Sequence, residues 1–345
     1  MNRPPPNGAI SEHGHDHRQS SRSSRYAQLL FVLFSLSLIF LFRDTPQFRT
    51  LGIVFVSIVL EAMPFMLLGT LIGGFIEVFV PREKVTRWLP EGRWWTVFIG
   101  AGIGVLFPVC ECAIVPVVRK LLQKGAPFSA AIAFLLGGPI VNPLVAASTA
   151  VAYFADWSIV MQRMLFGYCI AVGVGLLMGL LFTKTKAVRN QVSWETDLKH
   201  GPETLEPGTH AAWAGKIGLA VNHAAGDFLD IGRFLVIGAF CAAVAQTLVP
   251  RQVFVAVMGI PGISILIMML LAVVLNLCSE TDAFIAASFR SSQVPLAAQM
   301  AFMVLGPMLD IKLILMYLNV FRAPAIAVLV SLTFLSVFFS MVVMY

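Results

Sequence analysis

Charge is what this sequence lacks. Only 12% of its 345 residues are Asp, Glu, Lys or Arg, against about 25% in a soluble globular protein. Apolar residues make up 58%, where about 45–50% is usual. One buried core could not hide that excess, so most side chains must face lipid or one another within a membrane. A soluble enzyme and a secreted disulfide scaffold are excluded. A nucleic-acid binder is excluded as well. The formal charge is +6, but the basic residues sit between apolar runs, as orientation signals do. Cysteine is also scarce: Cys110, Cys112, Cys169, Cys241 and Cys278 all lie in apolar stretches, in no disulfide framework. Cys169 and Cys241 read as small packing residues. No Gly-x-x-x-x-Gly-Lys-Ser/Thr loop occurs, so nothing here cradles a nucleotide phosphate. No cofactor and no catalytic residue is expected. Any energy must come from an ion gradient, the membrane potential or a separate subunit.

What the sequence does have is apolar runs of about 20 residues, the length a helix needs to cross lipid. The expected fold class is an all-α integral membrane protein, a polytopic helical bundle. Residues 1–25 read as a disordered polar tail. Its Glu12-His13-Gly14-His15-Asp16-His17 run is a solvated segment before it is a loose metal site. Residues 26–43 read as an extra transmembrane helix. It resembles a signal peptide, but no small-residue cleavage site follows. Two larger units follow, 50–182 and 219–345, joined by a polar linker loop at 183–218.

These two units rhyme. The offset that carries Cys110 onto Cys278 also carries Pro127, Ala130, Ala133 and Phe134 onto Pro295, Ala298, Ala301 and Phe302. It carries Gly138 and Pro139 onto Gly306 and Pro307, and Asn142 onto Asp310. One residue more carries Glu61 onto Asp230 and Gly69 onto Gly238. Two homologous repeats with Gly/Pro-broken helices are therefore expected, with breaks at Pro108, Pro116, Gly138, Pro139, Gly306 and Pro307. Interrupted hydrophobic segments at corresponding places in two halves are the sequence pointer to a transporter's binding site.

Basic residues suggest how the halves face. If residues 94–124 enter the membrane and return, the tail, the 82–93 and 119–124 clusters, the linker and Arg322 share one side. Arg43, Arg49, Arg163, Arg251 and Arg290 fall on the other. Full crossings would balance the two sides. Positive charge collects in the cytoplasm, so re-entrant tips and inverted repeats are expected.

The tips are then Cys110-Glu111-Cys112 and Cys278-Ser279-Glu280-Thr281-Asp282. Ionisable groups at membrane depth are costly and mark function. The expected substrate-binding set is Cys110, Glu111, Cys112, Asn142, Cys278, Glu280, Asp282 and Asp310. Glu61 and Asp230 lie nearby. Lys312 would neutralise an acid across the bundle rather than Asp310, two residues away. Glu111 and Glu280 are the candidates for loading a proton. Three cysteines at matched tips would form a soft thiolate cluster suited to a thiophilic metal or metalloid; which metal, if any, the sequence leaves open.

Pro108-Val-Cys-Glu-Cys-Ala-Ile-Val-Pro116, Gly137-Gly-Pro-Ile-Val-Asn-Pro143 and Gly306-Pro-Met-Leu-Asp-Ile-Lys312 resemble the bacterial predicted-permease family. That family includes the organoarsenical (methylarsenite) efflux permeases. The resemblance covers about residues 50–343 and implies two permease repeats in a multi-pass protein of the inner membrane. It also implies transport of a small solute, with efflux of a trivalent organoarsenical as one branch. The expected partners are a small-molecule or metalloid substrate, the lipid bilayer, and either a second permease subunit or further copies of the chain. The rival readings are a membrane subunit of a multi-component permease complex, and a channel or non-transporting scaffold.

Overall fold

The computed structural model describes residues 46–90, 93–105, 110–188, 210–248, 262–292 and 294–344. The polar tail, the span expected at 26–43, most of the 183–218 linker and Pro108 lie outside them. The chain divides into residues 1–53 and 54–345; apart from the start of the first helix, the elements below belong to the second unit. Besides one turn at Lys184–Ala187, the helices in chain order are α1 (Pro46–Phe79), α2 (Arg82–Trp88), α3 (Trp95–Gly102), α4 (Glu111–Gln123), α5 (Phe128–Gly137), α6 (Pro143–Ala152) and α7 (Trp157–Leu181). They continue with α8 (His210–Leu248), α9 (Ile263–Leu275), α10 (Thr281–Ser288), α11 (Leu296–Leu305), α12 (Ile311–Val320) and α13 (Ala323–Met344). No strand occurs among the described residues, only one bridge between Val188 and Phe321. Within α1, α7, α8 and α13 lie the helical stretches long and apolar enough to cross a membrane. This is an all-α, multi-pass membrane protein.

The short helices owe their ends to particular residues. Helix α5 stops at Gly137 and α6 starts at Pro143; α11 stops at Leu305 and α12 starts at Ile311. Pro139 and Pro307 have no N–H to continue a ladder. The freed backbone closes on itself. Ile140 and Val141 donate to the Gly137 carbonyl, and Met308 and Leu309 donate to that of Leu305. Such local satisfaction is what membrane burial demands. Asn142 then restarts the chain by accepting the Leu144 N–H at 2.9 Å, with Pro143 at the first helical position. Asp310 does the same for the Leu313 N–H at 2.7 Å. Both are side-chain N-caps.

Pro116 behaves otherwise. It lies inside the continuous helix α4 and breaks nothing. An interior proline costs about 3 kcal/mol, and Glu111 through Val118 are all buried, so packing outweighs one lost hydrogen bond.

Close approaches give the directions. Ser129, Ala133, Ile140 and Thr149 lie against Gly179, Gly175, Gly167 and Arg163. Helices α5 and α6 therefore follow one interrupted path, antiparallel to α7. Just past the end of α3, Gly104 meets Gly138 across a gap a Cβ would fill. Near the start of α4, Ile114 reaches the same Gly138. Helix α3 runs toward the break and α4 runs away from it, so the two helices are oppositely directed. Small residues at these crossings let helices approach closely where no hydrophobic effect drives them together. The most fully buried elements are α5 and α11.

Candidate functional site

The first tip projects from the start of α4. Cys110, Glu111 and Cys112 are all buried, and the two thiols are in hydrogen-bond contact. Glu111 does not stand alone: Lys312 Nζ donates to its Oε1 at 3.1 Å. The same ammonium lies 3.4 Å from Asp310 Oδ2. The expectation that Lys312 would bypass Asp310 is thus incorrect. Asp310 is the cap of α12 rather than a residue on its surface, so the face rule for helical neighbours does not govern it. Asn276 closes the group. It ends α9 in the left-handed conformation, at φ 51°, and its amide nitrogen donates to both Asp310 oxygens at 2.9 and 3.0 Å.

The second tip joins α9 to α10. Asp282 is buried and Cys278 and Glu280 are half-buried. Cys278 Sγ lies 3.0 Å from Thr281 Oγ1 and in hydrogen-bond contact with Glu61 on α1. Ser279 Oγ donates to Glu280 Oε2 at 3.2 Å. Arg163 of α7 reaches this tip. It is fully buried, and it donates to Thr149 Oγ1 and to the Ser279 carbonyl, each at 2.8 Å. Its placement among the outward-facing basic residues is therefore overturned. A guanidinium inside an apolar helix is a signal available in the sequence, since a buried charge needs partners.

Lys312 joins Glu111 of the first tip to Asp310 at the second break, and Asp282 of the second tip lies against Gly306 of the same break. The two tips therefore meet at the second helix break. Among the buried polar atoms without a hydrogen-bond partner are Glu111 Oε2, Asn142 Nδ2, Asp282 Oδ2 and Arg163 Nε. These belong to the tips, the first break or the arginine that braces a tip, and others lie elsewhere, as at Ser264, Asn319 and Thr333. The cysteines are less convergent than the soft-cluster expectation required. Among the described residues no three His, Cys, Asp or Glu side chains are gathered as a metal ion would need. Cys169 and Cys241 are exposed on their helices and do not pack in the interior.

A second charged group lies at the far end of α4. Lys120 Nζ is 2.5 Å from Glu77 Oε2 on α1 and 2.8 Å from Asp227 Oδ2 on α8. His223 Nδ1 stands 3.7 Å from the same Glu77 oxygen. It fastens α1, α4 and α8 together. Asp230 and Arg233 on α8 form only an exposed pair at 3.9 Å.

Comparison with known proteins agrees with this picture. A family described as predicted permease matches residues 47–345. The protein YcgR of Bacillus subtilis is 40% identical over 289 residues, covering 83% of this chain and 93% of that one. A protein of Streptococcus mutans named a putative two-component membrane permease complex subunit is 38% identical over 269 residues, covering 78% and 86%. No solved structure matches significantly.

Proposed function

The chain belongs to the predicted permease family, and on that footing we propose that it carries a small solute through a site between the two tips. One observation carries this reading: acids of both tips are buried against the second helix break of a multi-pass protein, Glu111 through Lys312 and Asp282 on Gly306. Non-helical backbone at membrane depth is tolerated only where protein or a water-filled cavity supplies its partners. Discontinuous helices in two halves are how carriers build their midplane sites.

The packing supports a duplicated architecture. Helix α3 packs on α5 as α9 packs on α11; α4 packs on α5 as α10 packs on α11. Helix α5 packs on α7 as α11 packs on α13, and α4 meets α12 as α10 meets α6. Exchanging the halves maps each of these contacts onto another. The opposite directions of α3 and α4, together with the basic clusters, support re-entrant tips and inverted halves. In a background without native cysteines, single cysteines at Lys124 and Trp194 should both label from the cytoplasm. Periplasmic labelling of either would remove the inverted arrangement.

A trivalent organoarsenical is the substrate class to test first. It exchanges two ligands for thiolates, which matches a Cys110–Cys112 pair better than a zinc ion wanting four ligands. Cells with and without the gene should differ in tolerance to arsenical, antimonial and soft-metal compounds, and purified chain in liposomes should move the compound identified. Unchanged tolerance to every compound would overturn the thiophilic substrate. The rival reading, a subunit that works only with a partner, is favoured by the printed name of the streptococcal relative. It predicts that the lone chain is inert in liposomes and that a second subunit restores flux.

A further inference from the structure

We propose that Asp282 is the proton-carrying residue of this permease, holding a proton in the state seen here and releasing it as the second helix break rearranges. The inference rests on the permease reading and adds the coupling ion to it. Its first support is burial without compensation. Asp282 is 1% exposed, its Oδ2 has no hydrogen-bond partner, and it forms no ion pair among the described residues. An ionised carboxylate in that position would be very costly, and such groups neutralise instead.

Neither nearby cation forms an ion pair with it among the described residues. Lys312 is held between Glu111 and Asp310, and Arg163 is held by Thr149 and the Ser279 carbonyl. The charged groups that face Asp282 are Arg163 from α7, Glu111 from α4, and Asp310 and Lys312 from the second break and α12. With a proton on Asp282 the remaining Glu111 and Asp310 balance Lys312 and Arg163. Without it the group carries one uncompensated negative charge. Of the two residues a sequence reading favours for this task, Glu111 already has its ammonium and Glu280 is only half-buried.

The second support is the seat of the carboxyl. A Cβ on Gly306 would lie 2.5 Å from Asp282 Oδ2. The acid therefore rests directly on the backbone where α11 ends. A carboxylate needs donors or water around its oxygens, and the Oδ2 that lies against Gly306 has neither. Release of the proton to water on one side thus requires the Gly306-Pro307 break to move, and reloading from the other side lets it close. The step conserves atoms: the acid gives up H⁺ and becomes the carboxylate, then takes one back.

Infrared spectroscopy of the whole protein in lipid tests this with the proton itself as the probe. A protonated carboxyl band should be present and should vanish on titration to alkaline pH. Aspartate labelled with heavy carbon in its side-chain carboxyl should shift that band, and labelled glutamate should leave it in place. Asp282→Asn should abolish the band, whereas Asp282→Glu should move it to labelled glutamate. A wild-type band that moves with labelled glutamate, a band that survives Asp282→Asn, or one that stays with labelled aspartate in Asp282→Glu would overturn the assignment, as would its absence at every pH. If Asp282→Asn does not fold, the charge-conserving Asp282→Glu still decides. Solute flux in liposomes is a separate measurement, so failure of the permease reading is distinguishable from failure of this one.

Discussion

Glu111 at the first tip has an ammonium 3.1 Å away, whereas Asp282 at the second forms no ion pair among the described residues. The tips are matched at Cys110 and Cys278, yet the residue aligned with Glu111 is Ser279 and the residue aligned with Asp282 is Ile114. Each tip takes its cation from the opposite half. Lys312 bonds a side chain of the first tip, and Arg163 bonds the backbone of the second. The difference separates a tip whose charge is fixed from a tip whose position is fixed while its charge stays free to change.

The strongest way to break this comparison is Lys312→Met. Removing one partner of a buried ion pair costs about 3–5 kcal/mol, because a charge is left uncompensated. Glu111 and Asp310 would both lose their cation. We expect little folded protein by fluorescence-detected size exclusion, and partial recovery when Glu111→Gln is added. Equal instability of the double variant would mean that Lys312 matters for packing rather than for charge.

Arg163→Lys should cost less. Hydrogen bonds to charged groups contribute about 1.5–3 kcal/mol, and a lysine can keep one of the two contacts but not the planar fork that makes both. Flux should fall further than thermal stability, since the Ser279 carbonyl is released from its brace. If stability and flux fall in step, the arginine only holds the bundle together.

A smaller effect sharpens the comparison of the two breaks. Asn142→Ala removes a cap, worth about 0.5–2 kcal/mol. Asn142→Asp keeps the accepting oxygen and tests whether the first break tolerates the charge that the second carries in Asp310. Without a lysine at the position aligned with Lys312, which is Leu144, Asn142→Asp should be less stable than wild type. A melting temperature equal to wild type would show that the two breaks are electrostatically interchangeable. The smallest perturbation is labelling. Cys278 is half-buried while Cys110 and Cys112 are buried, so a maleimide should modify Cys278 first, with Glu61→Gln altering that rate and leaving the other two unchanged.

The helix breaks at Gly138-Pro139 and Gly306-Pro307 were legible in the sequence, because proline and glycine act through the local backbone. The caps at Asn142 and Asp310 follow from the same local chemistry. What the sequence hid is non-local. Arg163 was read as an outward charge, yet its partner Ser279 lies 116 residues away. Asp310 was separated from Lys312 on the assumption that both sat on one helix, whereas the helix begins only after Asp310. Pro116 reads as a break from sequence alone, and burial of Glu111 through Val118 around it changes that meaning.

The contact between Lys312 and Glu111 spans 201 residues of chain. At about 5–20 residues per second of synthesis, roughly 10–40 seconds separate the appearance of the acid from that of its base. Through that interval the first half holds a carboxyl at its tip with no counter-charge made. The first tip therefore reaches its final place only after the second half arrives, and a nascent chain stopped in the linker is a substrate for quality control rather than a working half. Assembly of the first tip runs in one order, its acid made 201 residues before its base.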